Sequence, residues 1–351
     1  MKKFAGLLVA WLKWAVIALI LVEIGCFLLI TVTNLALFGS IWKGSRVRYD
    51  PYAGFLNLEG IQPTAHNPSG REREKAKQIW ILGGSTTRCE KVPFDRTIAS
   101  FLARRLNAPE GQQPAVITNF GENTFNSVLE IKYLQKLLMQ SRRFPDLIIF
   151  YDGANDCIYF NEYRNPHAHY GYRRLQGPVE SYRGSFFGLL KPLVAALYAS
   201  FSLETIDRLR QAAAPLQPDD PGLLEECRAM QQRYDHARRL ASAYGAGFLV
   251  FWQPLLWVET GHVADRVREQ EKKHAVMDSR FLKFKQNFAL VYQTLATHLK
   301  DEPYFINFQN ILCGRTEPVY EMDGVHLNAV GNRLVAEAMT PVLRERGFLK
   351  P

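Results

Sequence analysis

The sequence predicts a three-layer α/β/α domain with a doubly wound, five-stranded parallel sheet, preceded by one N-terminal transmembrane helix. Three observations predict it: a long apolar stretch near the N-terminus, five short continuous apolar runs after it, and amphipathic stretches of helical spacing between those runs. The chain has 351 residues, of which 47% are hydrophobic and 22% charged. That composition can bury a large core and excludes a disordered chain, a collagen-like repeat and a disulfide-stapled mini-protein.

The net charge of +9 is unevenly distributed along the chain. The first 48 residues hold six lysines and arginines against a single acidic residue, Glu23. Much of the basic excess therefore flanks the apolar stretch, where it is typical of a membrane segment. Since a nucleic-acid-binding surface needs its positive charge on the folded domain, we expect no nucleic-acid partner.

Residues 1–42 are predicted to form a membrane anchor, because Glu23 is the only charged residue among the 25 residues from Trp14 to Phe38. A helix of that length rises about 37 Å, more than the hydrocarbon thickness of about 30 Å. A cleavable signal peptide would be shorter, and the bulky residues 35–38 offer no small-x-small cleavage site. We expect the anchor to be retained, with Glu23 protonated, facing a partner helix or lying near a membrane interface.

Cysteine usage favours a domain outside the cytoplasm. Cys26 lies in the apolar stretch, which leaves the four residues Cys89, Cys157, Cys227 and Cys313. Two disulfide bridges and four free buried thiols are both compatible with that number. Together with the short basic N-terminus, the even count favours a periplasmic or other extracytoplasmic location, while the nearly balanced charges on the two sides of the anchor give little information on orientation.

Residues 43–76 are rich in turn formers and charge, and are predicted to be an irregular linker before a domain over 77–351. The runs expected to be strands covered on both faces are Ile79–Leu82, Ala115–Ile117, Leu147–Tyr151, Phe248–Trp252 and Tyr304–Ile306. The stretches of helical spacing are 98–106, 128–139, 223–243, 281–299 and 327–343. Right-handed crossovers between such elements give a doubly wound sheet.

An insertion at about residues 158–222 separates the third predicted strand from the fourth. It is rich in aromatic residues, and we expect it to cover the active face of the sheet. Phe186–Leu203 is apolar enough to suggest a second membrane contact, but Lys191 and Pro192 interrupt it. A packed or interfacial helix is therefore the favoured interpretation.

Ligands of such sheets bind outside the carboxyl ends of the strands, so the residues after each strand are the candidates for function. Gly83-Gly84-Ser85 follows the first strand, where the glycines allow a sharp turn that exposes Ser85 at a helix start. Alone, such a turn is more typical of phosphate binding or helix capping. The polar loop 119–127 after the second strand offers backbone N–H groups, or simply caps the next helix.

The third and fifth strand ends carry more specific groups. Asn155 follows the third strand, where its amide can donate to a developing oxyanion, while Asp156 is placed to cap the next helix. Asp323 lies three residues before His326, a spacing that lets the carboxylate accept from imidazole Nδ1–H and leaves Nε2 as a base. Each motif alone is common, but all of them in order at strand ends indicate nucleophilic catalysis.

Over about residues 77–345, this set resembles the SGNH hydrolases, also called the GDSL-type esterase and lipase superfamily. The matching blocks are Gly83-Gly84-Ser85, Gly153-Ala154-Asn155-Asp156 and Asp323-Gly324-Val325-His326. The resemblance implies a flavodoxin-like fold in which Ser85 is the nucleophile, His326 the base and Asp323 its orienting acid. It also implies an oxyanion hole that includes the Ser85 N–H and the Asn155 amide. Residues 50–55 are similar to the lead-in of membrane-anchored bacterial members.

The chain departs from the family pattern at two places. Gly84 stands where the family usually has Asp, but that Asp is not the catalytic acid. The second block is less regular, because its oxyanion glycine matches Gly121, whereas counting back from Ser127 places Thr124 at the usual glycine position. Only a backbone N–H is required there, so Gly121 and Thr124 both stay candidates.

The resemblance implies a serine esterase acting on an O-acyl ester of a small molecule, a lipid or a glycan, for example an acetyl group on a cell-envelope glycan. An O-acyltransferase that uses the same nucleophile on cell-envelope polysaccharide is the first alternative. A catalytically inactive module that binds glycan or a membrane partner is the second. The intact set of Ser85, Asn155, Asp323 and His326 argues against that inactive module.

No cofactor or metal is expected. Asp152, Asp156, Asp323 and His326 are metal-ligating residue types at strand ends, but the resemblance gives them other roles, and no His or Cys pair has convincing ligand spacing. Because Cys89 and Cys157 closely follow the predicted site residues, a bridge between them is the favoured pairing if any disulfide exists.

Overall fold

The computed structural model describes residues 2–38, 47–108, 114–172, 175–176, 179, 200–203, 205–206, 215–260, 267, 269, 271 and 282–349. The chain divides into two compact units, which are described separately. The smaller unit comprises Met1–Lys43 and Gly171–Ala214, and the larger comprises Gly44–Tyr170 and Pro215–Pro351. We call the larger one the α/β unit.

The smaller unit contains helix α1, Lys2–Phe38. Within α1, Gly6–Val32 has a mean hydropathy of 2.8, and among the described residues this is the one helix long and apolar enough to cross a membrane. The segment Phe186–Leu203, where the sequence suggests a membrane or interfacial contact, lies outside the described residues up to position 199.

The α/β unit has a five-stranded parallel sheet with helices on both faces, and this confirms the predicted fold class. Its strands are β3 Lys77–Gly83, β4 Ala115–Gly121, β5 Leu147–Asp152, β6 Gly247–Trp252 and β7 Phe305–Asn307. They lie in the spatial order β4-β3-β5-β6-β7. The helices are α2 Gly70–Lys75, α3 Ser85–Arg88, α4 Ile98–Leu106, α5 Ser127–Gln140, α6 Ala154–Tyr163, α7 Pro221–Ala243, α8 Leu282–Leu299 and α9 Ala329–Glu345.

Continuous apolar strands form here because both sheet faces are covered. Along β3, Trp80 and Leu82 face one core and Ile79 and Ile81 face the other. The first core receives side chains from α5 to α8, and the second receives them from α4 and α9. All strands are parallel, so their carboxyl ends share one edge of the sheet.

The stretch predicted to be a linker contains ordered structure within the α/β unit. Strands β1, Val47–Asp50, and β2, Gly54–Asn57, form an antiparallel hairpin. Asn57 donates from its backbone N and from Nδ2 to Glu122 Oε2, at 2.7 and 2.6 Å. The hairpin is thereby attached to the loop after β4.

All five cysteines are free thiols, so the suggested bridge between Cys89 and Cys157 is wrong. Cys89 belongs to the core under α4 and α9, whereas Cys157 belongs to the core under α5 to α8. The sheet lies between these two cores. Proximity to the same sheet edge therefore does not bring the two sulfur atoms together.

Candidate active site

The turn between β3 and α3 presents Ser85 as the first residue of α3. Only glycine fits at position 84, because a Cβ atom there would lie 2.4 Å from Asn155 Nδ2 and 2.9 Å from Phe125 O. Because Ser85 heads the helix, its N–H has no partner within α3. The turn thus presents both a hydroxyl and a backbone donor at the sheet edge.

Ser85, His326 and Asp323 lie in one hydrogen-bonded chain. The Nε2 atom of His326 is 2.8 Å from Ser85 Oγ, and its Nδ1 atom is 2.8 Å from Asp323 Oδ2. Asp323 Oδ1 also accepts from the backbone N of His326 at 2.9 Å. Since a carboxylate only accepts, Nδ1 carries the proton and Nε2 is left to accept the Ser85 hydroxyl proton.

Asp323 is held in its ionised form. Burial opposes ionisation, but hydrogen bonds from His326 and the nearby Lys91 ammonium outweigh it and hold the pKa of this carboxyl well below its usual range. Lys91 Nζ lies 2.5 Å from Asp323 Oδ2. Sequence analysis missed Lys91, because nothing in the sequence links two residues 232 positions apart.

Asn155 lies in the first turn of α6, directly after the carboxyl end of β5. Its Nδ2 donates to Phe125 O at 2.6 Å, and the same amide borders the Ser85 turn at Gly84. The structure therefore brings Asn155 beside the turn that carries Ser85. An Nδ2 group has two hydrogens, so one remains after the bond to Phe125.

The two candidates of the second block differ in geometry. Gly121 ends β4, its N–H donates to Asn119 Oδ1 at 2.9 Å, and a Cβ there would lie 2.4 Å from Arg88 N. Thr124 has a left-handed φ of 64°, its carbonyl accepts from Tyr159 OH at 3.0 Å, and its N–H has no acceptor within the described parts of the chain. The available N–H is that of Thr124.

A buried carboxyl cluster beneath Asn155 was missed by sequence analysis. It consists of Glu130, Asp152, Asp156 and Glu226, each at most 4% exposed. Asp156, which the sequence suggested as a helix cap, instead accepts from the Ser127 hydroxyl at 2.6 Å. Asp152 accepts from Tyr234 OH at 2.9 Å, and Glu226 pairs with Arg233 at 2.9 Å.

Burial raises the pKa values in this carboxyl cluster. The pKa of Asp152 rises to about 7 and that of Glu226 to about 8, and burial together with Asp152 raises the pKa of Glu130 well above its ordinary value. Burial and the mutual repulsion of these carboxyl groups therefore disfavour their full ionisation at neutral pH. Within the described parts of the chain, no three or more His, Cys, Asp or Glu residues are arranged to hold a metal ion.

These raised values predict that stability falls as the pH rises. The neutral carboxyls contribute stability that is fully present below a pH of about 4, the ordinary pKa, and that is lost as the pH passes through the raised values. Glu130→Gln keeps the shape without the ionisation, so between pH 5 and 9 its Tm should fall by about 5 °C less than that of the wild type. Calorimetry across this range measures the difference.

The exposed Glu225 supplies the control for that measurement. Glu225→Gln removes a neighbouring carboxyl of α7 that faces solvent, so its Tm should follow the wild-type curve. A Glu130→Gln protein with the wild-type pH dependence would contradict the assignment of a retained proton to this cluster.

No protein-family model and no curated protein matches the chain. Solved structures do match it, at low identity. The esterase EstA from Pseudoalteromonas sp. is 12% identical, with a TM-score of 0.39, over 77% of this chain and 97% of its own. A G-D-S-L family lipolytic protein from Veillonella parvula is 15% identical, with a TM-score of 0.39, over 76% and 98%. Axe2, an acetylxylan esterase from Geobacillus stearothermophilus, is 12% identical, with a TM-score of 0.40, over 77% and 94%.

Proposed function

We propose that this protein is a membrane-anchored serine esterase of the SGNH type, which hydrolyses O-acyl esters. The observation that carries the proposal is the pair of 2.8 Å contacts from His326, one to Ser85 Oγ and one to Asp323. A hydroxyl, an imidazole and a carboxylate in this order are the groups that general-base activation of a serine requires. All three sit at the sheet edge where ligands of doubly wound folds bind.

In the first half of the reaction, Ser85 Oγ attacks the acyl carbonyl carbon while His326 Nε2 takes the hydroxyl proton. The tetrahedral intermediate collapses, His326 returns that proton to the leaving alcohol, and an acyl-serine remains. Ionised Asp323 stabilises the imidazolium that exists between these two transfers. Water then attacks the acyl-serine with His326 again as base, which releases the acid and restores Ser85.

The oxyanion receives three donors in this proposal: the N–H of Ser85, the N–H of Thr124 and Nδ2 of Asn155. Such donors act because they are already oriented before negative charge develops on the carbonyl oxygen. The Thr124 N–H is favoured over that of Gly121, whose N–H is engaged with Asn119. Tyr159 supports this loop through its bond to the Thr124 carbonyl.

Substitutions in the second block test whether Thr124 acts through its backbone and whether Gly121 is required by packing. Thr124→Gly keeps the N–H and removes a β-branched side chain from a left-handed conformation, so kcat should stay within about threefold of wild type and stability should not fall. Gly121→Ala places a Cβ against the Arg88 backbone and should cost more than about 2 kcal/mol of unfolding free energy. Steady-state kinetics and chemical denaturation measure both effects. A large loss of kcat in a stable Thr124→Gly protein would contradict this assignment.

A fluorophosphonate probe tests the proposed nucleophile directly. The full chain in detergent should gain one probe mass, located by peptide mapping on Ser85, and His326→Ala should slow labelling strongly. Failure to label folded protein would instead favour the inactive binding module.

The acceptor of the acyl group distinguishes the esterase from the O-acyltransferase, which an apolar helix at the membrane also suits. With an acetyl ester and an added cell-envelope glycan, the esterase releases free acetate at the rate of ester loss. Acetyl transfer to glycan faster than to water would favour the transferase. The natural substrate we propose is an acyl ester on a small molecule, a lipid or a glycan.

We place the α/β unit on the extracytoplasmic side of the membrane, because the N-terminus before the anchor is short and basic and the proposed substrates include cell-envelope glycans. The free cysteines do not contribute to this placement. Protease added to intact spheroplasts should therefore digest it. Protection in spheroplasts with digestion after lysis would reverse this orientation.

A further inference from the structure

Glu23 lies deep within the apolar part of α1. The stretch Gly6–Val32 has its midpoint at Leu19, so Glu23 is about 6 Å along the helix axis from that midpoint. A carboxylate at such a depth is costly unless partners from the protein satisfy it. The neighbours of Glu23 therefore decide how it is accommodated.

The Glu23 carboxylate has four hydrogen-bond donors, and all come from residues 200–202. Its Oε1 accepts from the Phe201 N–H at 2.5 Å. Its Oε2 accepts from Ser200 Oγ at 3.0 Å and from Ser202 through Oγ at 2.6 Å and N at 3.2 Å. These donors need no water, and two of them are backbone N–H groups, which suit a negative charge at a helix start.

Apolar contacts extend the same interface. The rings of Phe27 and Phe201 meet edge to face, with centroids 5.1 Å apart. Phe27 lies one helical turn after Glu23. Along this part of α1, Glu23, Cys26 and Ile30 are partly covered while most of their neighbours are exposed, and the spacing of three and four residues marks one helix face.

We infer that residues 200–203 dock onto α1 within the membrane through Glu23. Residues 171–214 are joined at both ends to the α/β unit, so the chain must enter and leave the docked position from the side of the bilayer that holds this unit. This inference rests on the proposed membrane anchorage.

The docking gives the α/β unit more than one connection to the membrane. Helix α6, whose first turn carries Asn155, precedes the docked residues in the chain. The chain returns from that segment shortly before α7. The α/β unit is therefore joined to the membrane through the docked residues 200–203 as well as through α1.

Site-specific photo-crosslinking in membranes tests the docking in the full chain. With Phe27→benzoylphenylalanine, irradiation should give an intramolecular adduct to a peptide containing residues 200–203. Leu21→benzoylphenylalanine, on the opposite face of α1, is the matched control and should give no adduct to that peptide. Adding Glu23→Leu to the Phe27 reporter should lower the adduct yield at least about fivefold, while Glu23→Gln, which retains an acceptor oxygen, should lower it less.

The outcomes separate the docking from the anchorage on which it rests. Release of the protein from membranes by alkaline carbonate would refute the anchorage and the docking together. Retention in the membrane without the Phe27 adduct would refute the docking alone. An adduct between two chains, seen as a doubled mass, would overturn it in favour of a contact between copies. None of these results depends on esterase activity.

Discussion

Ser85→Ala is expected to lower kcat for ester hydrolysis on the order of 10⁴- to 10⁶-fold, because it removes the atom that attacks the carbonyl carbon in the proposed mechanism. The change should leave the fold intact. The Ser85 side chain is partly exposed, and the hydrogen bond that the structure gives its hydroxyl is the one to His326. Initial-rate assays of the full chain with a short-chain ester measure the loss, and calorimetry checks that Tm is unchanged.

Thr86 provides the matched control for Ser85→Ala. It carries the adjacent hydroxyl of the same turn, but that hydroxyl donates to Gln253 Oε1 at 2.7 Å rather than facing His326. Thr86→Val should therefore keep kcat within about tenfold of wild type, since only a supporting hydrogen bond is lost. Equal losses in both variants would indicate damage to the turn, and a wild-type rate in Ser85→Ala would refute the proposed mechanism.

A double variant tests whether Ser85 and His326 act as one unit. If His326 serves to activate Ser85, then Ser85→Ala combined with His326→Ala should be no slower than Ser85→Ala alone. Independent contributions would instead multiply. The comparison is informative because the 2.8 Å contact between these residues is the observation on which the proposed function depends.

Sequence analysis predicted the fold correctly because the strands are buried on both faces. Strand β5, for example, has Ile148 and Phe150 on one face and Ile149 on the other. Its sequence is therefore a continuous apolar run, which a strand with one exposed face would not have. The hairpin β1–β2 was missed, because four-residue strands among turn formers leave no run long enough to detect. The predicted helix and strand ends differ from those observed by at most four residues, and α4 matches at both ends.

Only those site residues that directly follow strand ends, or lie in the loop before the last helix, could be predicted from the sequence. Strand ends of a parallel sheet converge, so Ser85, Asn155 and the Asp323–His326 pair were placed together before any geometry was known. Lys91 and Glu130 were missed because their roles arise from packing between distant segments. The choice between Gly121 and Thr124 depends on the backbone conformation at Thr124. Its left-handed φ could not be predicted, because threonine rarely adopts that conformation.

Asn155→Ala is expected to lower kcat by about 100- to 1000-fold while changing KM little, which corresponds to about 2.7–4 kcal/mol of transition-state stabilisation. The reason is that the amide is oriented toward the Ser85 turn before reaction, by its 2.6 Å bond to Phe125 O. A donor that contacts the oxygen only as charge develops raises kcat and leaves substrate binding almost unaffected. Steady-state kinetics that resolve kcat from KM are therefore the measurement.

The amide of Asn155 also joins α6 to the loop after β4 through its bond to Phe125 O. Asn155→Ala therefore lowers stability as well, and a control must separate that effect from the loss of kcat. Asn107 makes the same kind of bond, from Nδ2 to Ala115 O at 2.9 Å, at the start of β4 and thus at the opposite end of the sheet. Asn107→Ala should lower Tm with little change in kcat. If both variants lose stability and only Asn155→Ala loses kcat, the loss reports the oxyanion contact. Equal values of kcat in the two variants would remove Asn155 from the proposed oxyanion hole, leaving the backbone N–H groups of Ser85 and Thr124 as its donors.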